Sequence, residues 1–194
     1  MPGQLLSEKE IVEELQMSRT PARQALNTLA GENLISIISN KGIQISQISE
    51  KQVKEITEIR IVLEKIMIEK AVENILEKDF EMLDILQNKL NKDLDKADAS
   101  AIFEAGKNIH LFISDIADNE TINSLLKILR NDSHRGYVYF LRNKFERSSE
   151  EQLNHIKNII RISHEDILYA LREKDKVKAL EAIARDVNIF KELI

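Results

Sequence analysis

The 194 residues contain no cysteine. That absence removes disulfide frameworks, cysteine-based zinc fingers and thiol catalysis together, and leaves His, Asp and Glu as the strong metal ligands. Only four histidines are present to supply imidazole. Long apolar runs are also missing: none approaches the roughly 18 residues that span a bilayer, and the N-terminus lacks the basic-then-apolar pattern of a secretory signal. A cytoplasmic protein with no membrane partner is expected. Positive charge is outnumbered too, 28 Lys and Arg against 33 Asp and Glu. A net charge of -5 argues against a globally basic nucleic-acid binder, because neutralising phosphate is the main source of such affinity. Any DNA contact has to be local.

Proline and glycine are few and unevenly placed. Both prolines, Pro2 and Pro21, and three of five glycines, Gly3, Gly31 and Gly42, lie in the first 42 residues. From Lys51 onward only Gly106 and Gly136 interrupt a text rich in Ile, Leu, Glu and Lys, which suits long helices. The change of character places a boundary near residues 46 to 51, giving a small domain over 1-48 and a helical one over 49-194.

Ser7 with Glu10 three residues on reads as a capping box before Ile11, Val12 and Leu15, which predicts a short helix. Ser18 offers a second cap, followed by Ala22, Ala25, Leu26 and Leu29 at helical spacing, with Pro21 confined to the first turn where it is tolerated. Ile35 to Ile38, the turn residues Ser39-Asn40-Lys41-Gly42, and the alternating Ile43 to Ser46 predict a β-hairpin. Two helices joined by a tight turn and followed by a hairpin describe a winged helix-turn-helix. Beyond it the fold is all α. Ile56, Ile59, Leu63, Ile66, Met67 and Ala71 mark one amphipathic helix and Phe80, Leu83, Leu86 and Leu90 another, with further helices over 102–118, 121–145, 150–172 and 176–193.

Arg19, Thr20 and Arg23 fall on the first turn and a half of the second helix, opposite Ala22, Ala25 and Leu26. Arginine can bond guanine O6 and N7 bidentately, Thr can meet a thymine methyl or a phosphate, and the helix N-terminus favours a phosphate. Lys9 and Lys41 would anchor backbone on either side. The plainer reading is that Arg19 and Arg23 are solvated helix residues. The wider pattern bears on the choice. The Ser7 cap, the run Ser18-Arg19-Thr20-Pro21-Ala22-Arg23-Gln24-Ala25-Leu26 and the wing Asn40-Lys41-Gly42 resemble the DNA-binding domain of the GntR family. The resemblance implies a DNA-binding set of Lys9, Ser18, Arg19, Thr20, Arg23, Lys41 and Gly42, and a transcriptional regulator, with double-stranded operator DNA as partner. It also implies one more helix ahead of Pro2-Gly3, so Leu15 and Leu29 are expected to be underpacked, and an upstream start codon is the plain explanation. Residues 1 to 50 carry four basic against six acidic side chains, which predicts specificity more than tightness.

Glu58 to Glu64 followed by Glu69-Lys70-Ala71 resembles the opening of the FCD-type ligand domain of the FadR subfamily within that family. Asn108-Ile109-His110, Asp118-Asn119 and Ser163-His164-Glu165 follow in the implied order. Such domains are helical bundles around a pocket for a small, often carboxylate metabolite, commonly beside a divalent metal. Many members hold the metal with an Asp four residues before a His, then two His spaced 22 apart; the matching positions here are Gly106, His110, His164 and Asp186. Two of the four are changed. A turn at Lys174-Asp175 would still bring His164 and Asp186 level on antiparallel helices. Two imidazoles and one carboxylate, from His110, His164 and Asp186, suit Zn²⁺, Ni²⁺ or Mn²⁺. The competing reading is a metal-free pocket with core histidines.

Arg60, Arg130 and Arg135 are candidates to pair with an effector carboxylate, since guanidinium binds it bidentately; the alternative places each on a helix surface. His134 and His155 read as structural or solvated. Three functions stay open: a ligand-responsive repressor acting as a homodimer on palindromic DNA, a metabolite sensor that has lost DNA binding, and a metal-dependent enzyme built on His110, His164 and Asp186. The last lacks a clear general base, because Asp115 and Glu165 face away.

Overall fold

The computed structural model describes residues 2–32, 34–39 and 41–193, apart from the side chains of Asp132, Phe190, Glu192 and Leu193. Asn40 of the expected turn lies outside the described residues. The chain divides into two compact units, 1–49 and 50–194.

In the first unit α1 spans Glu8–Glu14 and α2 Arg19–Gly31, with β1 at Leu5–Leu6, β2 at Ile35–Ile38 and β3 at Gly42–Ile45. The expected capping box is present, Ser7 Oγ accepting from Glu10 N–H at 3.0 Å and Glu10 Oε2 from Ser7 N–H at 2.9 Å. Ser18 is the N-cap of α2 by position, but its side chain makes no cap bond. Pro21 stands three residues on and has no N–H to give. The hairpin runs in the register Ile35↔Ile45 to Ile38↔Gly42. β1, a strand not anticipated, adds to β3 and gives the order β1-β3-β2.

Ala22 and Leu26 of α2 and Ile43 of β3 are the buried apolar side chains among the described residues of this unit. Ala25, expected in the core, is exposed. A 13-residue helix against a small sheet buries one narrow stripe, and Ala25 lies off it. Leu15 is exposed, as expected, while Leu29 is half-buried.

The second unit is six helices: α3 Glu50–Asn74, α4 Asp79–Lys96, α5 Ala99–Ile116, α6 Glu120–Arg147, α7 Glu150–Arg172 and α8 Lys176–Leu193. Caps set the breaks. Asp98 accepts from Ser100 and Ala101 N–H, Asn119 from Ile122 N–H, and Ser149 forms a capping box with Gln152. Ala97, Asp118 and Lys174 adopt positive φ where α4, α5 and α7 end. The core joins Met67 and Ile68 of α3, Leu83, Leu90 and Leu94 of α4, Ile109 and Ile113 of α5, Leu126 and Leu141 of α6, Ile160 and Ile167 of α7 and Ile183 of α8. Each such side chain contributes about 1.5–3 kcal/mol on burial.

The expected stripe on α3 is corrected. Ile56, Met67 and Ala71 are buried, but Ile59 and Ile66 are exposed, and the inner face takes Glu64 and Ile68 instead. Helical spacing alone admits either rotation; the charge partners that Glu64 meets inside the bundle decide it.

Gly42 has φ +102, and a Cβ there would stand 2.6 Å from the Leu6 carbonyl oxygen. Gly42→Ala is expected to cost about 1–3 kcal/mol, read as faster amide exchange in β1 and β3 of the full chain. Unchanged exchange would show that the Leu6 backbone yields freely.

Candidate functional site

The interior of the helical unit contains a run of charges. Glu64 of α3 is 0% exposed and Arg130 of α6 1%. Arg60, one turn before Glu64, donates to its Oε1 from Nε at 3.0 Å and Nη2 at 2.8 Å. The other carboxylate oxygen, Oε2, lies 3.1 Å from Arg130 Nη2 and 2.7 Å from His110 Nδ1. Both are ion pairs that hold the carboxylate from two further helices. Burial by itself would raise the Glu64 pKa; Arg130, Arg60 and His110 outweigh it and hold the carboxyl well below its usual range.

His110 of α5 links this group to Asp186 of α8, with Nε2 2.9 Å from Asp186 Oδ2. Asp186 Oδ1 accepts from Ser163 Oγ at 2.6 Å and stands 3.1 Å from His164 Nδ1. The expected turn produces this register, since α7 and α8 are separated by Glu173 to Asp175. His110, His164 and Asp186 place one ligand atom each within 4.8 Å of one another. Burial opposes charging His110, but Glu64 and Asp186 together raise its pKa. Burial lowers the His164 pKa against the pull of Asp186. Asp186 is held below its usual range: burial is outweighed by His164, His110 and Ser163.

The donor set fits a divalent ion. His164 Nδ1 lies 2.9 Å from the Ile160 carbonyl, and Glu64 flanks His110 Nδ1. Ligating histidines make such outer contacts through the nitrogen that does not face the metal. His164 Nε2 is buried and has no hydrogen-bond partner among the described residues. A cavity of about 50 Å³ adjoins it, lined by Arg60, Phe103, Gly106, His110, Arg130, Tyr137, His164 and Asp186 among others. Arg130 pairs with Glu64 through Nη2, while its Nε and Nη1 meet no hydrogen-bond partner among the described residues.

The structure therefore brings Arg60 and Arg130 to the histidine cluster, with Arg130 fully inside rather than on a surface. Arg135 is half-buried and does not line this cavity. His134 stacks on Phe103 at 4.5 Å, and His155 is exposed. Glu64 and Ser163 are the residues that sequence reasoning missed. The usable signal for Glu64 was a carboxylate one turn after Arg60 within the largely apolar stretch Ile59 to Ile68 of α3.

In the first unit Ser18, Arg19, Thr20, Arg23, Lys9 and Lys41 are all exposed. Lys9 lies 3.7 Å from Glu13. Arg23 donates from Nε to Glu8 at 3.0 and 3.1 Å, while its Nη groups, the fork that suits guanine, carry no bond among the described residues. At such exposure the pair orients Arg23 more than it stabilises the fold. Gly42 has a backbone reason for its identity in the Leu6 contact.

Removing Glu64 strands two guanidinium groups. Glu64→Ala is expected to cost about 3–5 kcal/mol, as when one partner of a buried pair is deleted, measured by urea unfolding of the full chain followed by circular dichroism. A loss under about 1 kcal/mol would mean that water replaces the carboxylate.

Comparison with known proteins agrees with the two units. Residues 55–188 match the FCD domain, and residues 1–45 match the model described as bacterial regulatory proteins, gntR family. The chain is similar to the HTH-type transcriptional regulator McbR of Escherichia coli, 29% identical over 90% of this chain and 76% of that one. It is also similar to the gluconate operon transcriptional repressor of Bacillus subtilis, 25% identical over 96% and 74%. The solved structure of Escherichia coli McbR/YncC superposes with a TM-score of 0.76 at 26% identity, covering 98% of this chain and 85% of that one. The chain belongs to the GntR family of transcriptional regulators, with a winged helix-turn-helix followed by an FCD domain.

Proposed function

We propose that this regulator is a repressor which binds operator DNA as a homodimer through Arg19, Thr20 and Arg23, and that a small carboxylate in the cavity of the helical unit controls that binding. Arg130 carries the reading. A guanidinium 1% exposed on a cavity wall, paired to Glu64 through Nη2 alone, has further N–H donors that an anion would complete. Arg60 stands beside it; a divalent metal held by His110, His164 and Asp186 would add Lewis-acid attraction for the same carboxylate.

DNA reading is supported by the exposed first turn of α2, where Arg19 and Thr20 are unpaired among the described residues and Arg23 is steadied by Glu8. Ser18 opens that helix, and Lys9, Lys41 and the Gly42 turn flank it as backbone contacts. A repressor role is supported by the relative that bears that description. Two copies are needed because one helix reads few base pairs. Ile59, Val62 and Ile66 form an exposed apolar stripe on α3 that suits a second copy. Ligand binding in the bundle would shift the balance between DNA-competent and incompetent states.

The test is an electrophoretic shift with DNA from the regulator's own promoter region. Arg23→Ala and Arg19→Ala should each weaken the specific complex by about 1–3 kcal/mol and relax base preference, whereas Lys41→Ala should weaken all sequences alike and reduce the salt slope by about one. Retardation that is neither sequence-selective nor salt-sensitive would refute the proposal.

A further inference from the structure

A second hollow of the helical unit is larger than the cavity beside His164. It lies in the groove between α7 and α8 and measures about 380 Å³, against about 50 Å³ for the interior cavity. Clefts that take small molecules start at about 300 Å³. On antiparallel helices Ile159 and Ile189, equally far along the chain from Lys174, come level, and with Ile162 they give the groove apolar walls. Ala184 is small enough to leave the space, and Ile162 is 50% exposed beside it. Among the described residues, Arg60, Arg130, His110 and His164 take no part in these walls.

The polar groups of the groove are mostly acceptors. Asp166 meets Arg185 Nη2 through Oδ2 at 2.9 Å, and its Oδ1 carries no bond among the described residues. Asn188 donates from Nδ2 to the Ala184 carbonyl at 2.8 Å, which leaves Oδ1 to accept. Ser163 gives its one O–H to the far side, to Asp186 at 2.6 Å, so lone pairs are what it offers a ligand. Arg185 is the donor, but its side chain is 65% exposed and Asp166 40%, and a pair so exposed is worth little. An anion in the groove would meet the Asp166 carboxylate and, behind Ser163, that of Asp186; a cation would be drawn to both. We propose that the groove between α7 and α8 is a second ligand site, which takes a small primary amine with a branched aliphatic body. The three N–H donors of the ammonium match Asp166, Asn188 and Ser163, Arg185 swings to water, and the body covers Ile159, Ile162 and Ile189. The site is independent of the ligand reading of the interior cavity.

The experiment uses the full chain, methyl-labelled at isoleucine, without DNA and at constant pH and ionic strength. 3-Methylbutylamine is titrated and followed by the methyl resonances; 3-methylbutanol and 3-methylbutanoate carry the same body with a neutral and an anionic head. The amine is expected to shift Ile159, Ile162 and Ile189 saturably and to bind about tenfold tighter than the alcohol, the difference a charge-assisted contact makes. The acid should not saturate. Asp166→Asn, which removes only an exposed pair, should weaken the amine about tenfold and leave the alcohol unchanged. Ala184→Leu, checked for its helical circular dichroism, should fill the groove and abolish both; should that variant misfold, Asp166→Asn decides alone. Equal affinity for the three compounds overturns the proposal, leaving apolar adhesion only. So does tighter binding of the acid, which would give the groove to Arg185. Amine shifts confined to Ile102 and Ile160, beside the interior cavity, or no saturation by any compound, overturn it equally.

Discussion

The helical unit is organised around a carboxylate that has no access to water. Glu64 sits inside the bundle where α3 packs on α5 and α6, and an unpaired charge there would cost several kcal/mol, a large share of a domain's net stability. Its neutralisation recruits Arg60 from its own helix, Arg130 from α6 and His110 from α5. Through His110 the network reaches Asp186 on α8, and through Asp186 it reaches Ser163 and His164 on α7. Five of the six helices therefore contribute a polar group to one connected cluster. The rotation of α3, which leaves Ile59 and Ile66 facing out, follows from it.

That dependence explains which parts were legible in the sequence. Helix ends were, because Ser7 with Glu10 and the breaks before Glu150 and Lys176 are local chemistry written in adjacent residues. The hairpin was, because the isoleucine-rich Ile35 to Ile38, the turn residues before Gly42 and the alternating Ile43 to Ser46 have one sensible pairing. β1 was not: two leucines carry no periodicity, and their strand exists only because β3 offers an edge.

The candidate site was half legible. His110, His164 and Asp186 were picked out by the positions the family resemblance implies; the antiparallel register of α7 and α8 sets Asp186 beside His164, and packing in the bundle brings His110 of α5 to Asp186 across 76 residues. Glu64 was not found, since a glutamate one turn after an arginine reads as a surface pair. Its partner Arg130 lies on a helix whose sequence gives no sign of being buried there. Burial of charge is a tertiary event, and no window of local sequence reports it. The same reason misplaced Ala25, a residue small enough to sit on either side of a helix.

The short connection between α7 and α8 has a consequence of a different kind. Surface turns ordinarily accept insertions and deletions, since few contacts depend on their length. The turn from Glu173 to Asp175, closed by Lys174 at φ 51, sets which residue of α8 faces His164. One residue gained or lost there, if carried into α8, would rotate Asp186 by about 100° around the helix, the angle between successive residues at 3.6 per turn. Drift in length at this exposed corner is therefore as damaging as substitution in the core. Homologous chains that keep the cluster should have little freedom in this loop, however freely its side chains vary.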